Sequence, residues 1–313
     1  MTHDRGDGMT HTDGMTHDGM TRAEGPPPIL VGVDPDPSQR TALAWAADEA
    51  ARRRLPLLLL HAQGVPTPGY RPTGGRPSWE EWNTALHVAG DHTLREAVAF
   101  VESRQPQVPV SGLLAEGHPA WVLREQAQHA TAVVLGSWHL SAAQELFTSA
   151  SVALPLIAHA TCPVVVVPEP QRVTDHPPYF VVGVDGGAES AAVVDLAFEE
   201  AALHGAGLRA LYVWHPPRFG GADEEAALDE CHRLLSEAVA GHGAAHPEVE
   251  LHHEVVRGHP VRVLIEQSAH SLGLVVGTRG HGGFTGMLLG SVSQGVLHHA
   301  RCPVITVPRA HDR

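Results

Sequence analysis

Six glycines fall within residues 277–293, GTRGHGGFTGMLLGSVS, directly after the apolar run Leu274-Val275-Val276 and directly before a helix-like segment opened by Ser291. Glycine lets backbone approach a ligand closely and accepts φ values that other residues avoid, while weakening any helix or strand it interrupts. A strand, a glycine-rich loop and a helix start in succession aim backbone N–H groups and the positive end of a helix dipole at one concavity. The chemistry this suits is anion binding, phosphate foremost. Arg279 and His281 stand in the same loop with charge of the right sign, and Asp185 ends the apolar stretch Val181-Val182-Gly183-Val184 earlier in the chain.

The standard phosphate loops do not fit. A Walker A loop needs Gly-Lys-Ser/Thr, and all 21 basic residues here are arginine. A dinucleotide fingerprint needs G-x-G-x-x-G after the first strand, where GVDGGAES at 183–190 has other spacing. SVSQG at 291–295 approaches a hydrolase nucleophile elbow but places Ser291 where the sharp turn needs its first glycine. Asp185 offers a carboxylate for a phosphate-bound metal, yet no residue stands out as a base that activates water, so slow turnover of a bound phosphate compound is the most catalysis expected. What remains is G-x2-G-x9-G-S, formed by Gly277, Gly280, Gly290 and Ser291.

These residues need a scaffold, and the chain writes one twice. ILVGVDPDPSQRTALAWAADEA from residue 29 returns as FVVGVDGGAESAAVVDLAFEEA from 180, LAEGHPAWVLREQA at 114–127 as VVRGHPVRVLIEQS at 255–268, and HATCPVVVVP at 159–168 as HARCPVITVP at 299–308. Three matches in one order indicate tandem duplication. The first domain is read as 29–168, the second as 179–309, and polar, proline-bearing 169–178 as the linker. In the second copy β-branched runs (Phe180–Val184, Leu208–Val213, Val249–Val255, Leu272–Val276, Val304–Val307) alternate with helical patterns at Ser190–His204, Ala222–Ala240, Val261–His270 and Ser291–Ala300. Nearly continuous apolar strands separated by helices predict an α/β fold: two tandem open parallel five-stranded sheets with helices on both faces. Ligands of such sheets sit beyond the carboxyl ends of the strands, where the winding reverses. In both copies GHP, with His118-Pro119 and His259-Pro260, predicts a helix start with proline in first position.

The loop spacing, the GHGGFTGMLLGSVS text, the following HARCPV and the leading VVGVD together resemble the universal stress protein family in its tandem form, over residues 29–309. The resemblance implies a Rossmann-like fold of the adenine-nucleotide alpha hydrolase type and an ATP site in the second domain, with magnesium on the phosphates. It assigns Asp185 to the ribose and adenine, with Gly183 on the same floor, and the Val213 backbone to the adenine edge. Val276 and Gly277 lead into the loop, and Gly280, Gly290, Ser291 and Val292 surround ribose and phosphates. Backbone N–H groups at 290–292 and the Ser291 hydroxyl suit phosphate oxygens at a helix start. The implied role is a nucleotide-dependent stress sensor; the alternative is a nucleotide-free interaction scaffold of the same fold. In the first copy Gly136 and Ser151 are kept, but His139 or Leu140 replaces the second glycine and Ala150 the third, and Asp34 is followed by Pro35. That predicts a degenerate first site.

Composition narrows the partners. A formal net charge of −14 disfavours a nucleic-acid partner. No stretch reaches the ~20 apolar residues of a membrane span, and a cytoplasmic protein is expected. Residues 1–28 repeat Met-Thr-His with Asp and Gly and no apolar period, which reads as a disordered tail before it reads as a metal site at His3, His11 and His17. Cys162 and Cys302, each before a proline and an apolar run, read as buried thiols. By resemblance, CPVVVVP and CPVITVP supply the last strand of each sheet. Two such apolar edges predict antiparallel pairing of Val164–Val167 with Val304–Val307 inside one chain, with homodimerisation and a protein partner left open.

Overall fold

The computed structural model describes residues 25–35, 40–63, 79–136, 152–169, 177–187, 190–216, 223–280 and 289–309. The first half runs β1 (Ile29–Gly32), α1 (Arg40–Arg53), β2 (Leu57–Gln63), α2 (Trp79–Arg104), β3 (Val110–Glu116), α3 (Pro119–Ala127), β4 (Ala132–Gly136), α4 (Ala153–His159) and β5 (Val164–Val167). The second runs β6 (Tyr179–Val184), α5 (Ser190–His204), β7 (Gly207–Trp214), α6 (Glu224–Val239), the short α7 (His242–Ala245), β8 (Leu251–Arg257), α8 (Pro260–Ser268), β9 (Gly273–Gly277), α9 (Ser291–His299) and β10 (Val304–Val307).

Strand side chains alternate between two cores, as the two-residue period requires. Ile29, Val31, Phe180 and Val182 pack with α1, α2, α5 and α6, whereas Leu30 and Val181 pack with α3, α4, α8 and α9. Pro119 and Pro260 begin α3 and α8 as the GHP turns predict. Asp223 caps α6 by accepting from the N–H groups of Glu225 and Ala226. The strand expected from Val249 starts at Leu251, because the Val249 N–H is spent on a turn to the His246 carbonyl at 3.1 Å.

Each half is a parallel five-stranded sheet, and the two are joined edge to edge through their final strands into one: the order is β3-β2-β1-β4-β5-β10-β9-β6-β7-β8. At the centre β5 and β10 run antiparallel, with Val164, Val165 and Val166 opposite Thr306, Ile305 and Val304. All four residues of each strand are buried, and the Thr306 hydroxyl donates to the Val164 carbonyl at 3.0 Å. Full burial of a valine contributes roughly 1.5–3 kcal/mol, an upper bound that makes this short junction substantial. The outer strands β3 and β8 are half-exposed, and β8 carries His252, His253 and Glu254 in solvent. Polar edges outside and apolar edges joined inside leave little strand surface for uncontrolled association. Cys162, Cys231 and Cys302 are buried free thiols, and burial pushes Cys162 up to about 11.

Candidate functional site

In the second half the winding reverses between β6 and β9, which lie side by side and lead away in opposite directions. Beyond their carboxyl ends opens a cavity of about 680 Å³. The strands supply Gly183 and Asp185 from the end of β6, Val213 from β7, and Val276 and Gly277 from β9. Gly280 and Gly290 come from the loop segments, Ser291 and Val292 from the first turn of α9, so the structure brings all nine residues singled out in the sequence to one cavity.

The loop is pinned at its base. The Thr278 N–H donates to the Val307 carbonyl at 3.0 Å, the Gly290 N–H to the Thr278 carbonyl at 2.9 Å, and the Ser293 hydroxyl to the Gly277 carbonyl at 2.6 Å. Gly290 is the N-cap of α9 and supplies no side-chain acceptor, so the first-turn N–H groups face the cavity end without a cap. Gly277, Gly280 and Gly290 are needed for space and not for handedness. Gly290 has φ −66°, open to any residue, but a Cβ there would stand 3.3 Å from the Arg279 Cα and 3.5 Å from the Gly280 nitrogen. A Cβ on Gly280 would stand 2.7 Å from Asp185 Oδ2, and one on Gly277 3.1 Å from the Arg279 carbonyl oxygen.

Asp185 has a structural duty as well. Its Oδ1 accepts from the Gly187 N–H at 2.9 Å and the Ser190 hydroxyl at 2.7 Å, which holds the turn that opens α5. Gly186 takes φ +73° in that turn, where an L side chain is strained. Tyr212 lines the cavity too; burial, reinforced by Cys231 and Asp185 nearby, pushes its phenol up to about 12, so it stays neutral. Among the described lining residues, Asp185, Tyr212 and Arg279 are the titratable ones. Leu211, Leu264 and Val276 give the cavity apolar walls. The cavity therefore offers a carboxylate beside Gly280, a helix start with Arg279, and apolar walls.

The sequence model of the universal stress protein family matches residues 27–168 and again 180–308. The chain belongs to the universal stress protein family. It is similar to Universal stress protein Rv2623 of Mycobacterium tuberculosis, 32% identical over 285 residues, 88% of this chain and 95% of the relative. It is likewise similar to a universal stress protein of Mycolicibacterium smegmatis, 33% identical over 297 residues, 89% of this chain and 96% of the relative. A crystal structure of a universal stress protein from Archaeoglobus fulgidus shares the fold with a TM-score of 0.70 at 16% identity, over 92% of this chain and 98% of the other.

Within this universal stress protein frame, sequence reasoning missed Ser190, Tyr212 and Ser293. Ser190 follows Asp185 by five residues at a helix start, a capping signal that was legible, and Ser293 stands two after the last motif residue. Tyr212 lies beside Val213 on β7 and had no signal of its own. His281 and the loop glycines at 282, 283 and 286 lie outside the described residues, as does the degenerate loop of the first domain at 137–151. Near Asp34 the described residues of the first domain bound a cavity of about 90 Å³ between Val33, Pro35, Arg40 and Phe100.

Proposed function

We propose that the second universal stress protein domain binds ATP, with magnesium on its phosphates, and that the chain is a nucleotide-dependent stress-response sensor in the cytoplasm. The observation that carries this reading is the convergence of Gly183, Asp185, Val213, Val276, Gly277, Gly280, Gly290, Ser291 and Val292 on one cavity at the switch point of the sheet. Three groups of these residues have distinct tasks. Val213 and Val276, with Leu211 and Leu264, form the apolar walls for a flat base. Asp185, held by Gly187 and Ser190, accepts from ribose hydroxyls and is the carboxylate that would meet magnesium. The N–H groups at 290–292, the Ser291 hydroxyl and Arg279 donate to phosphate oxygens. The close quarters at Gly277, Gly280 and Gly290, where an added Cβ crowds Arg279, Asp185 or loop backbone, fit a cradle that backbone itself must form.

The lining favours binding over turnover. Among the described residues Asp185 is the lining carboxylate, and one of its oxygens already serves the α5 turn. The first domain then acts as scaffold, its degenerate loop leaving the second domain as the nucleotide sensor. Binding at the rim of β6 and β9 is one strand away from the central junction, a short path from nucleotide to the other half, to a protein partner or to a second copy of the chain.

Purified chain is denatured and its supernatant chromatographed for nucleotide, and binding of ATP is measured by calorimetry with and without magnesium. The expected result is copurified adenine nucleotide or a saturable heat at one site per chain. Absence of both would leave a nucleotide-free interaction scaffold as the function.

A further inference from the structure

Joining the half-sheets brings α1 and α5 together, and with them equivalent positions of the duplicated sequence. Glu49 and Glu200 occupy the same place in the repeat, and so do Arg53 and His204 one helical turn later. Both glutamates are buried, 3% and 5% exposed. The Arg53 guanidinium donates to Oε1 of each, through Nε to Glu49 and through a terminal nitrogen to Glu200, at 2.5 Å in both cases.

His204 breaks the symmetry. Its Nδ1 lies 2.9 Å from the Glu200 carbonyl oxygen, which accepts only, so Nδ1 carries the ring hydrogen. Nε2 then presents a lone pair 3.3 Å from Glu49 Oε2, and two acceptors at that distance repel unless a positive species lies between them. Glu200 Oε2 is buried without a hydrogen-bond partner, 3.8 Å from the imidazole Nδ1. A carboxylate oxygen of each glutamate and a nitrogen of His204 lie within 4.8 Å of one another. With a neutral imidazole, two buried carboxylates share the cation Arg53 within the junction. Arg52 reaches Glu49 Oε2 at 2.9 Å from the solvent side, its side chain 35% exposed, so Glu200 Oε2 is the carboxylate oxygen left without a donor.

We propose that Glu49, Glu200 and His204 form a site for a divalent transition cation of the zinc class, shared between the two halves of the chain. The donor set, one imidazole and two carboxylates, suits such an ion, and three protein ligands leave a fourth position for water. The hydrogen bond from Nδ1 to a backbone carbonyl fixes the ring with Nε2 as donor, the arrangement usual behind a ligating histidine. Arg53, bound to the other oxygen of each glutamate, orients both carboxylates. Phe180, its ring 5.0 Å from the imidazole, closes one side against water. Since α1 contributes Glu49 and α5 the other two ligands, the ion bridges the domains.

The test uses the full chain, freed of metal by chelation and then equilibrated with zinc or cobalt(II). The chain has 24 histidines, so the readout is the difference between wild type and His204→Arg, which copies Arg53 of the first repeat and keeps a positive charge without a ligand atom. Wild type is expected to retain one more zinc per chain than His204→Arg after buffer exchange. Its unfolding midpoint should rise with zinc while the variant's stays fixed, and cobalt(II) should give visible d–d bands absent from the variant. Glu200→Gln, isosteric and uncharged, is the second variant and should lose the bands as well. Equal zinc content and equal midpoints in wild type and folded His204→Arg would overturn the proposal. So would a wild-type midpoint that responds to pH near neutrality but not to zinc, which would assign the gap to a proton.

Discussion

The Ser293 hydroxyl donates to the Gly277 carbonyl at 2.6 Å, fastening the first turn of α9 to the end of β9. That bond sets the angle at which the helix start meets the cavity, although neither partner's identity announces it. Ser293 is 4% exposed and Gly277 partly buried, so Ser293→Ala leaves the Gly277 carbonyl short of this donor. The expected cost is about 0.5–1.5 kcal/mol in urea unfolding, together with weaker ATP binding in calorimetry. Unchanged affinity would mean that the loop is positioned by Thr278 and Gly290 alone.

Gly290→Val is expected to abolish ATP binding while the fold survives, because its Cβ meets loop backbone and not core. Gly280→Ala should act through Asp185, whose Oδ2 lies 2.7 Å from the new methyl position. A loss of at least tenfold, about 1.4 kcal/mol, is expected for each. Substitutions at Leu140 or Ala150 in the first copy should leave affinity unchanged. Circular dichroism confirms folding, and a folded Gly290→Val with wild-type affinity would sink the site.

The β5–β10 junction holds the two halves in one sheet, so damage there should be felt globally. Ile305 is 1% exposed, and Ile305→Ala is expected to cost roughly 2–5 kcal/mol. Native-state hydrogen exchange offers an independent check: amides bonded across residues 164–166 and 304–306 should exchange only through the largest opening of the molecule. Fast exchange there, with slow exchange elsewhere in each half, would show that the halves separate.

The buried cluster makes stability depend on acid. Burial alone would raise Glu49, but His204 on one side and the Arg53 guanidinium on the other outweigh it and hold the carboxyl at about 2 against an ordinary 4.5. A folded-state value below the unfolded one means stability that is fully present above 4.5 and is lost as pH falls toward 2. The full shift corresponds to on the order of 3 kcal/mol. Burial pushes Glu200 the other way, so the net effect is smaller. Denaturant midpoints measured from pH 6 down to about 2.5 should fall in wild type and flatten in Glu49→Gln.

Sequence alone determined the repeating unit, the α/β class, the GHP helix starts and the residues around the cavity. Each of these rests on local chemistry: a two-residue apolar period, a proline at the first turn, a glycine run between a strand and a helix. Strand limits were less legible where a turn competes for an N–H, as at Val249. What the glycines at 277, 280 and 290 are for, space and not positive φ, required knowing which atoms stand opposite them. Only the tertiary structure decided that Ser190, Tyr212 and Ser293 belong to the site. The same holds for Glu49 and Glu200. Each reads in sequence as half of an i,i+4 pair on a helix, an ordinary solvated pattern. Their meeting depends on two helices 147 residues apart, measured from Arg53 to Glu200, being drawn together by strand pairing elsewhere. Local sequence fixes what a segment prefers to become, but the electrostatics of a buried contact follow from which segments exclude water together, and that is settled by packing.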